Sequence, residues 1–198
     1  MIPFRSVFED HAVDYDRWFD EHGEVYAVQV KMLRTALPDH GIGLEIGVGS
    51  GRFAVPSGIR CGIDPSRGLI RIARQRGIEV VRGEGEHLPY RAGVFDFVLM
   101  MTVICFLDDA VAVFSEVNRV LRPGGMLIVG FIEKGGEIFR QYRHESVKGR
   151  FLEYATFRTV EEVTGFFSEA GFASVSVIER TRGFCVLRGQ KKHDRKGR

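Results

Sequence analysis

Cysteine, net charge and long apolar runs are all scarce in this sequence. Its three cysteines, Cys61, Cys105 and Cys185, are odd in number and far apart. That fits neither a disulfide framework nor the paired spacing of a zinc site. No run approaches about 18 apolar residues free of charge, so nothing reads as a membrane span. The formal net charge is only +2, which disfavours a nucleic-acid partner. The opening MIPFRSVFEDHAVDYD lacks an apolar core of signal-peptide length and turns acidic soon after Arg5. No internal repeat or low-complexity segment is present. Together these absences imply an intracellular, cytoplasmic chain. Positive charge gathers only in RGQKKHDRKGR, from Arg188 to Arg198. Residues 189–198 read as a frayed, solvated basic tail, with RNA or membrane binding as the alternative.

What the chain does have is an ordinary globular balance, 44% apolar and 27% charged over 198 residues. One domain, 1–198, can bury roughly 70% of its unfolded surface. The organising stretch is Leu44 to Phe53, LEIGVGSGRF. Leu44, Ile46 and Val48 predict a buried strand running into a tight loop at Gly47, Gly49 and Gly51. Alternate glycines admit positive φ and bring backbone N–H groups close to a ligand. Glu45 is either an edge position or a ligand-facing carboxylate; idle burial would cost too much.

Before this loop, residues 1–22 place Tyr15, Trp18 and Phe19 on one helical face. The segment is either a helix packed on the core or a lid over the loop. Val25, Val28, Met32, Leu33 and Leu37 predict a second inward-facing helix, ended by Pro38 and Gly41. After the loop, strands are expected at 60–64, 78–81, 95–101 and 126–132. Between them lie helices opened by Pro65-Ser66 and by Asp108-Asp109. The alternation argues a parallel sheet covered on both faces. Residues 133–156 are polar and read as an excursion over the sheet's carboxyl edge. Thr159 and Glu162 then form a capping box. Two β-rich runs joined by Arg182-Gly183 demand an antiparallel hairpin.

In such a sheet ligands sit outside the strands' carboxyl ends, at the switch point. Asp64 ends the second strand, where its oxygens can accept from two ribose hydroxyls at about 1.5–3 kcal/mol per charge-assisted bond. Glu84 can accept from an adenine amine while the Gly85 N–H donates to a ring nitrogen. The loop spacing is G-x-G-x-G, unlike the G-x-G-x-x-G of dinucleotide enzymes. Apart from Arg52 the loop offers no cation to a pyrophosphate. It suits a ligand bearing an ammonium and a carboxylate.

LEIGVGSGRF, GIDPS, VVRGEGEHLPY, FDFVLMMTVICFLDD and RVLRPGG resemble, in that order, the motifs of class I S-adenosylmethionine-dependent methyltransferases of the type 11 branch. The resemblance covers about residues 40–130. It implies a Rossmann-like, doubly wound α/β fold with a seven-stranded sheet, mostly parallel, ending in the antiparallel hairpin. It implies S-adenosylmethionine as cofactor, S-adenosylhomocysteine as product and a small-molecule methyl acceptor as partner. By that likeness Glu45, Gly47, Gly49 and Gly51 serve the methionine end, and Asp64 the ribose. Glu84 and Gly85 serve the adenine, and the chain at Met101 and Thr102 passes beside the ammonium. Tyr15 and Trp18 resemble the family's Y-D-x-W lid helix, within 1–22. Many relatives carry a His in the segment after the fourth strand, where this chain has Cys105, so no family base carries over.

Methyl transfer from a sulfonium is an in-line displacement that works mainly by positioning and water exclusion. If the acceptor must lose a proton, the candidates are His11, His22, His87, His144, Tyr142 and Glu145. Cys105 reads as a core thiol or a group near the acceptor. Arg140, Tyr142, Arg143 and His144 read as a polar surface loop or a basic roof for an anionic acceptor. Two other classes stay open, a cofactor-binding regulatory subunit without turnover and an NAD(P)-dependent oxidoreductase. A monomer or homodimer is expected.

Overall fold

The computed structural model describes residues 3–144 and 151–193. Three helices lead, α1 (Pro3–Asp10), α2 (Ala12–Glu21) and α3 (Gly23–Ala36). The sheet then alternates with helices through β1 (Gly43–Ile46), β2 (Cys61–Asp64), α4 (Arg67–Gln75), β3 (Glu79–Arg82), β4 (Phe95–Met101), α5 (Ala110–Val120) and β5 (Leu121–Ile132). The chain continues through α6 (Glu137–His144), α7 (Val160–Glu169), β6 (Phe172–Thr181) and β7 (Phe184–Lys191). Strand order is β3-β2-β1-β4-β5-β7-β6. The first five strands pair in parallel, and β7 runs antiparallel to both β5 and β6. No described helix is long and apolar enough to cross a membrane.

The period of two along β4 explains why FDFVLMM is apolar at every position but Asp96. Val98 and Met100 join the core beneath α5 and α7, with Val113, Phe114, Val117 and Phe167. Phe97, Leu99 and Met101 join the opposite core beneath α3 and α4, with Leu33, Ala36, Ile70 and Ala73. Each such side chain contributes about 1.5–3 kcal/mol by leaving water. Past Asp96, whose carboxylate accepts from the Ile42 N–H and pairs with Arg122, the strand is covered on both faces and stays apolar. On β1, Leu44 and Ile46 face α5, so the intervening Glu45 points toward the α2–α3 side.

Several boundaries differ from the sequence expectation. The N-terminal segment holds two helices, Pro3–Asp10 and Ala12–Glu21, rather than one. On α3 the buried positions are Gln29, Met32, Leu33 and Ala36, while Val25 and Val28 are exposed. The inward stripe is therefore turned from the one expected, and a glutamine is taken inside. Strand β5 starts at Leu121, five residues early. Phe95 pairs with Leu121 and Phe97 with Met126, and Arg122–Gly125 bulge between them. Gly189–Lys191, expected in the tail, belong to β7. Lys191 Nζ donates to the Leu121 carbonyl at 2.8 Å, fixing the strand's end; residues 194–198 lie outside the described residues. The capping box of Thr159 and Glu162 is present. Arg182 (φ 49) and Gly183 (φ 84) make the two-residue hairpin turn, whose double positive φ matches strand twist.

Candidate active site

The carboxyl ends of β1, β2 and β4 open into a cavity of about 760 Å³, within the usual range for small-molecule sites. Its floor is the glycine loop. The Gly47 and Val48 N–H groups donate to the Ile63 carbonyl at 2.9 and 3.1 Å, tying the loop to β2. Gly47 sits at φ 65, and a Cβ there would lie 2.4 Å from Val103 Cγ2. Gly49, at φ 53, faces the Tyr15 ring, 3.4 Å from where its Cβ would be. Both positions require glycine for conformation, and Gly47 for space as well.

Asp64 is buried and each of its oxygens is engaged. Oδ2 accepts from Gly49 N–H at 2.8 Å and Oδ1 from Ser66 N–H at 2.9 Å. Burial nevertheless pushes its carboxyl up to about 6; the two N–H groups oppose the rise and Glu9 adds to it. Glu45, 1% exposed, is driven well above the carboxylate range by burial and then by Asp64, against the Ala54 backbone hydrogen bond. Among the described residues its Oε2 has no hydrogen-bond partner. Burial, Asp64 and Glu45 hold the Tyr15 phenol above its ordinary range. Negative charge thus gathers around Glu45 and Asp64, and a cationic ligand there would relieve it.

Helices α1 and α2 roof the cavity. Phe8, Tyr15 and Phe151 contact one another, and Phe106 packs on Phe8 at 5.2 Å between ring centroids. Glu9 accepts from the Arg67 N–H at 2.7 Å, which pins α1 to the start of α4. Asp16 is held by both Arg52 and Arg76, each at 2.8 Å, and Asp20 by Arg52 at 2.7 Å. Arg52, the loop's one cation, is therefore turned toward α2.

Nine of the sequence-derived residues line the cavity together: Tyr15, Trp18, Gly47, Gly49, Asp64, Glu84, Met101, Thr102 and Tyr142. Glu45, Gly51 and Gly85 lie behind its wall. A Cβ on Gly51 would meet Ile78 at 3.3 Å, and one on Gly85 would meet Val113 at 3.0 Å. His87 is exposed and near Glu116, outside the lining. Cys105 donates to the Thr102 carbonyl at 3.3 Å, and burial pushes its thiol up to about 12. His11 pairs with Asp14, and His22 stacks on Trp18 at 4.4 Å. Arg140 is exposed and is not part of the lining. The side chains of Arg143 and His144, and Glu145 entirely, lie outside the described residues.

Sequence reading missed Phe8, Glu9, Phe106, Ile132, Phe151 and Leu152, all of which line the cavity. The open N-terminus of α4 was a usable signal for Glu9, since its first N–H groups need an acceptor. Phe151 gave none, because its ring partners are more than 130 residues away.

The family model described as a methyltransferase domain matches residues 44–129. A Thermotoga maritima crystal structure described as a SAM-dependent methyltransferase, possible histamine N-methyltransferase, is 36% identical. It superposes with a TM-score of 0.87 over 94% of this chain and 99% of that one. An uncharacterized Methanocaldococcus jannaschii protein is 37% identical over 174 residues, 88% of this chain and 84% of that protein. An uncharacterized Mycobacterium tuberculosis protein is 35% identical, and there the match spans 63% of the relative's length. S-adenosylmethionine is the cofactor of such proteins, and the site fits it. Gly49 brings bare backbone to the cavity wall beneath the Tyr15 ring, Glu45 keeps an unmatched acceptor behind that wall, and Arg52 is committed to α2 rather than to a pyrophosphate. This chain belongs to the class I S-adenosylmethionine-dependent methyltransferases.

Proposed function

We propose that the protein transfers a methyl group from S-adenosylmethionine to a small-molecule acceptor by in-line displacement. The observation that carries this is the meeting of Gly49, Asp64 and Tyr15 at one wall of the cavity. Gly47 and Gly49 admit the methionine end to the backbone. Asp64 accepts from the ribose hydroxyls while its N–H bonds hold it in place. Glu84 and the chain at Gly85 meet the adenine, and Met101 and Thr102 pass beside the ammonium. Glu45 balances positive charge from behind the loop, and Tyr15 and Trp18 close over it. When bound, the cofactor supplies an activated methyl on a sulfonium whose thioether leaves without needing an acid.

The chain's own work is then to align and to dry the site. The ring cluster of Phe8, Tyr15, Phe106 and Phe151 is the water-excluding element. The Tyr15 phenol and the Cys105 thiol both stay protonated near neutral pH, since burial first of all raises each. Neither serves as a base there. An acceptor with its own lone pair needs none; one that must lose a proton would draw on residues 133–156, where Tyr142 and His144 lie. We place the protein in the cytoplasm as a monomer or homodimer.

Incubation with S-adenosylmethionine and an acceptor library, read by mass spectrometry, should yield S-adenosylhomocysteine and a product heavier by one methylene. Bound cofactor with no product from neutral, anionic or cationic acceptors would favour a regulatory subunit instead.

A further inference from the structure

Of the buried residues on α3, Gln29, Met32, Leu33 and Ala36, only the first is polar. Gln29 is 8% exposed and lines the cavity. A buried amide ordinarily has hydrogen-bond partners. Among the described residues no hydrogen bond involves this one, and neither of its polar atoms is sealed inside the protein. Its amide therefore opens onto the cavity. Tyr26, one turn earlier, donates to the Arg52 carbonyl, which ties α3 to the end of the glycine loop at this level. Met32 and Leu33, one turn later, share a core with Phe53 and Met101, which also line the cavity. Gln29 thus enters between the glycine loop and the end of β4, from the side toward which Glu45 points.

We infer that Gln29 binds the carboxylate at the methionine end of the cofactor, its Nε2–H group donating to a carboxylate oxygen. This rests on the methyltransferase reading, which brings an ammonium and a carboxylate together to this corner. Glu45 and Asp64 favour the ammonium and repel the carboxylate, so the carboxylate needs a donor of its own. The N–H groups of Gly47, Val48, Gly49 and Gly51 are already engaged, by the Ile63 and Val48 carbonyls and by Asp64. The Arg52 guanidinium is held by Asp16 and Asp20. Gln29 keeps an uncommitted donor here, and a hydrogen bond to an ionised acceptor is the stronger kind. With Asp64 at the ribose and Gln29 at the carboxylate, both ends of the sulfonium chain are tethered. That fixes the line along which the methyl leaves.

The test is calorimetric titration of the full chain at neutral pH with two ligands. One is S-adenosylhomocysteine; the other is its decarboxylated analogue, which keeps the adenosyl group and the ammonium. In Gln29→Met, of similar length and without the amide, affinity for S-adenosylhomocysteine should fall at least ten-fold. Affinity for the decarboxylated analogue should stay unchanged. Gln29→Glu, which sets a like charge against the carboxylate, should weaken S-adenosylhomocysteine further still. Gln29→Leu replaces Gln29→Met should that variant fold poorly. Failure of the wild-type protein to bind either ligand would sink the methyltransferase reading itself. Equal S-adenosylhomocysteine binding by the wild type and the folded apolar variant would overturn this inference alone. So would an equal loss for both ligands, which would show that the amide does not act on the carboxylate.

Discussion

Arg52 Nε lies 2.8 Å from Asp16 Oδ1, with the two side chains only 15% and 17% exposed. The pair joins α2 to the glycine loop one residue beyond Gly51. Arg76 doubles the tie, binding Asp16 and also donating to the Ser50 carbonyl at 2.7 Å. Helix α2 and the loop are thereby held as one piece.

Asp16→Asn should therefore cost about 1–3 kcal/mol of unfolding free energy, less than a fully buried pair because water reaches the cluster. Urea denaturation measures it. Asp20→Asn, on the solvent side, should leave the midpoint unchanged. Although burial opposes it, hydrogen bonding to Arg76 and Arg52 holds the Asp16 carboxyl below the usual aspartate range. Its contribution is then complete above about pH 4 and is lost as pH falls below that.

Asp64 carries the opposite sign. Its folded-state value is raised to about 6, so the folded chain holds the proton where the unfolded chain has released it. Stability from this group falls by about 3 kcal/mol as pH rises from about 4 to 6. Asp64→Asn should remove that slope in denaturation curves taken across the window. Affinity for S-adenosylhomocysteine should strengthen through about pH 6 in the wild type, as the carboxylate becomes available to the ribose, and stay flat in Asp64→Asn.

Two loop glycines should rank differently for a stated reason. Gly47→Ala meets both positive φ and the Val103 methyl at 2.4 Å, so it should lose more than about 3 kcal/mol. Gly58→Ala has φ 68 and open space, so about 1 kcal/mol is expected. Thermal unfolding of the two variants side by side decides it.

Thr102 has φ 54, a left-handed conformation rare for a β-branched residue. Its hydroxyl donates to the Met101 carbonyl at 2.8 Å. Thr102→Gly should unfold no more easily than the wild type, because released strain of about 1–3 kcal/mol offsets the lost bond and added chain entropy. Thr102→Val keeps the strain, loses the bond and should fall by about 1 kcal/mol.

The parts legible in the sequence were those set by local chemistry. The glycine loop, Asp64 at a strand end, the Thr159 capping box and the Arg182-Gly183 turn each need particular residues at short spacing. The sheet followed from alternation, with β7 reversed by a turn too short for anything else. What escaped depends on partners distant in sequence. Asp16 looked like one acid among several on a solvated helix; only the fold brings it to Arg76, sixty positions on. The α3 stripe misled because Val25 and Val28 match the helical period, whereas Gln29 is taken inside in their place. The bulge at Arg122–Gly125 was hidden because Pro-Gly-Gly reads as a turn.

The most direct test is calorimetric titration of the wild-type and Asp64→Ala proteins with S-adenosylmethionine and S-adenosylhomocysteine, with a nicotinamide dinucleotide as control. Micromolar binding of both adenosyl ligands by the wild type is expected, with at least a ten-fold loss in a folded Asp64→Ala protein and no dinucleotide signal. Folded wild-type protein that ignores the adenosyl ligands, or that binds the dinucleotide instead, would contradict the account.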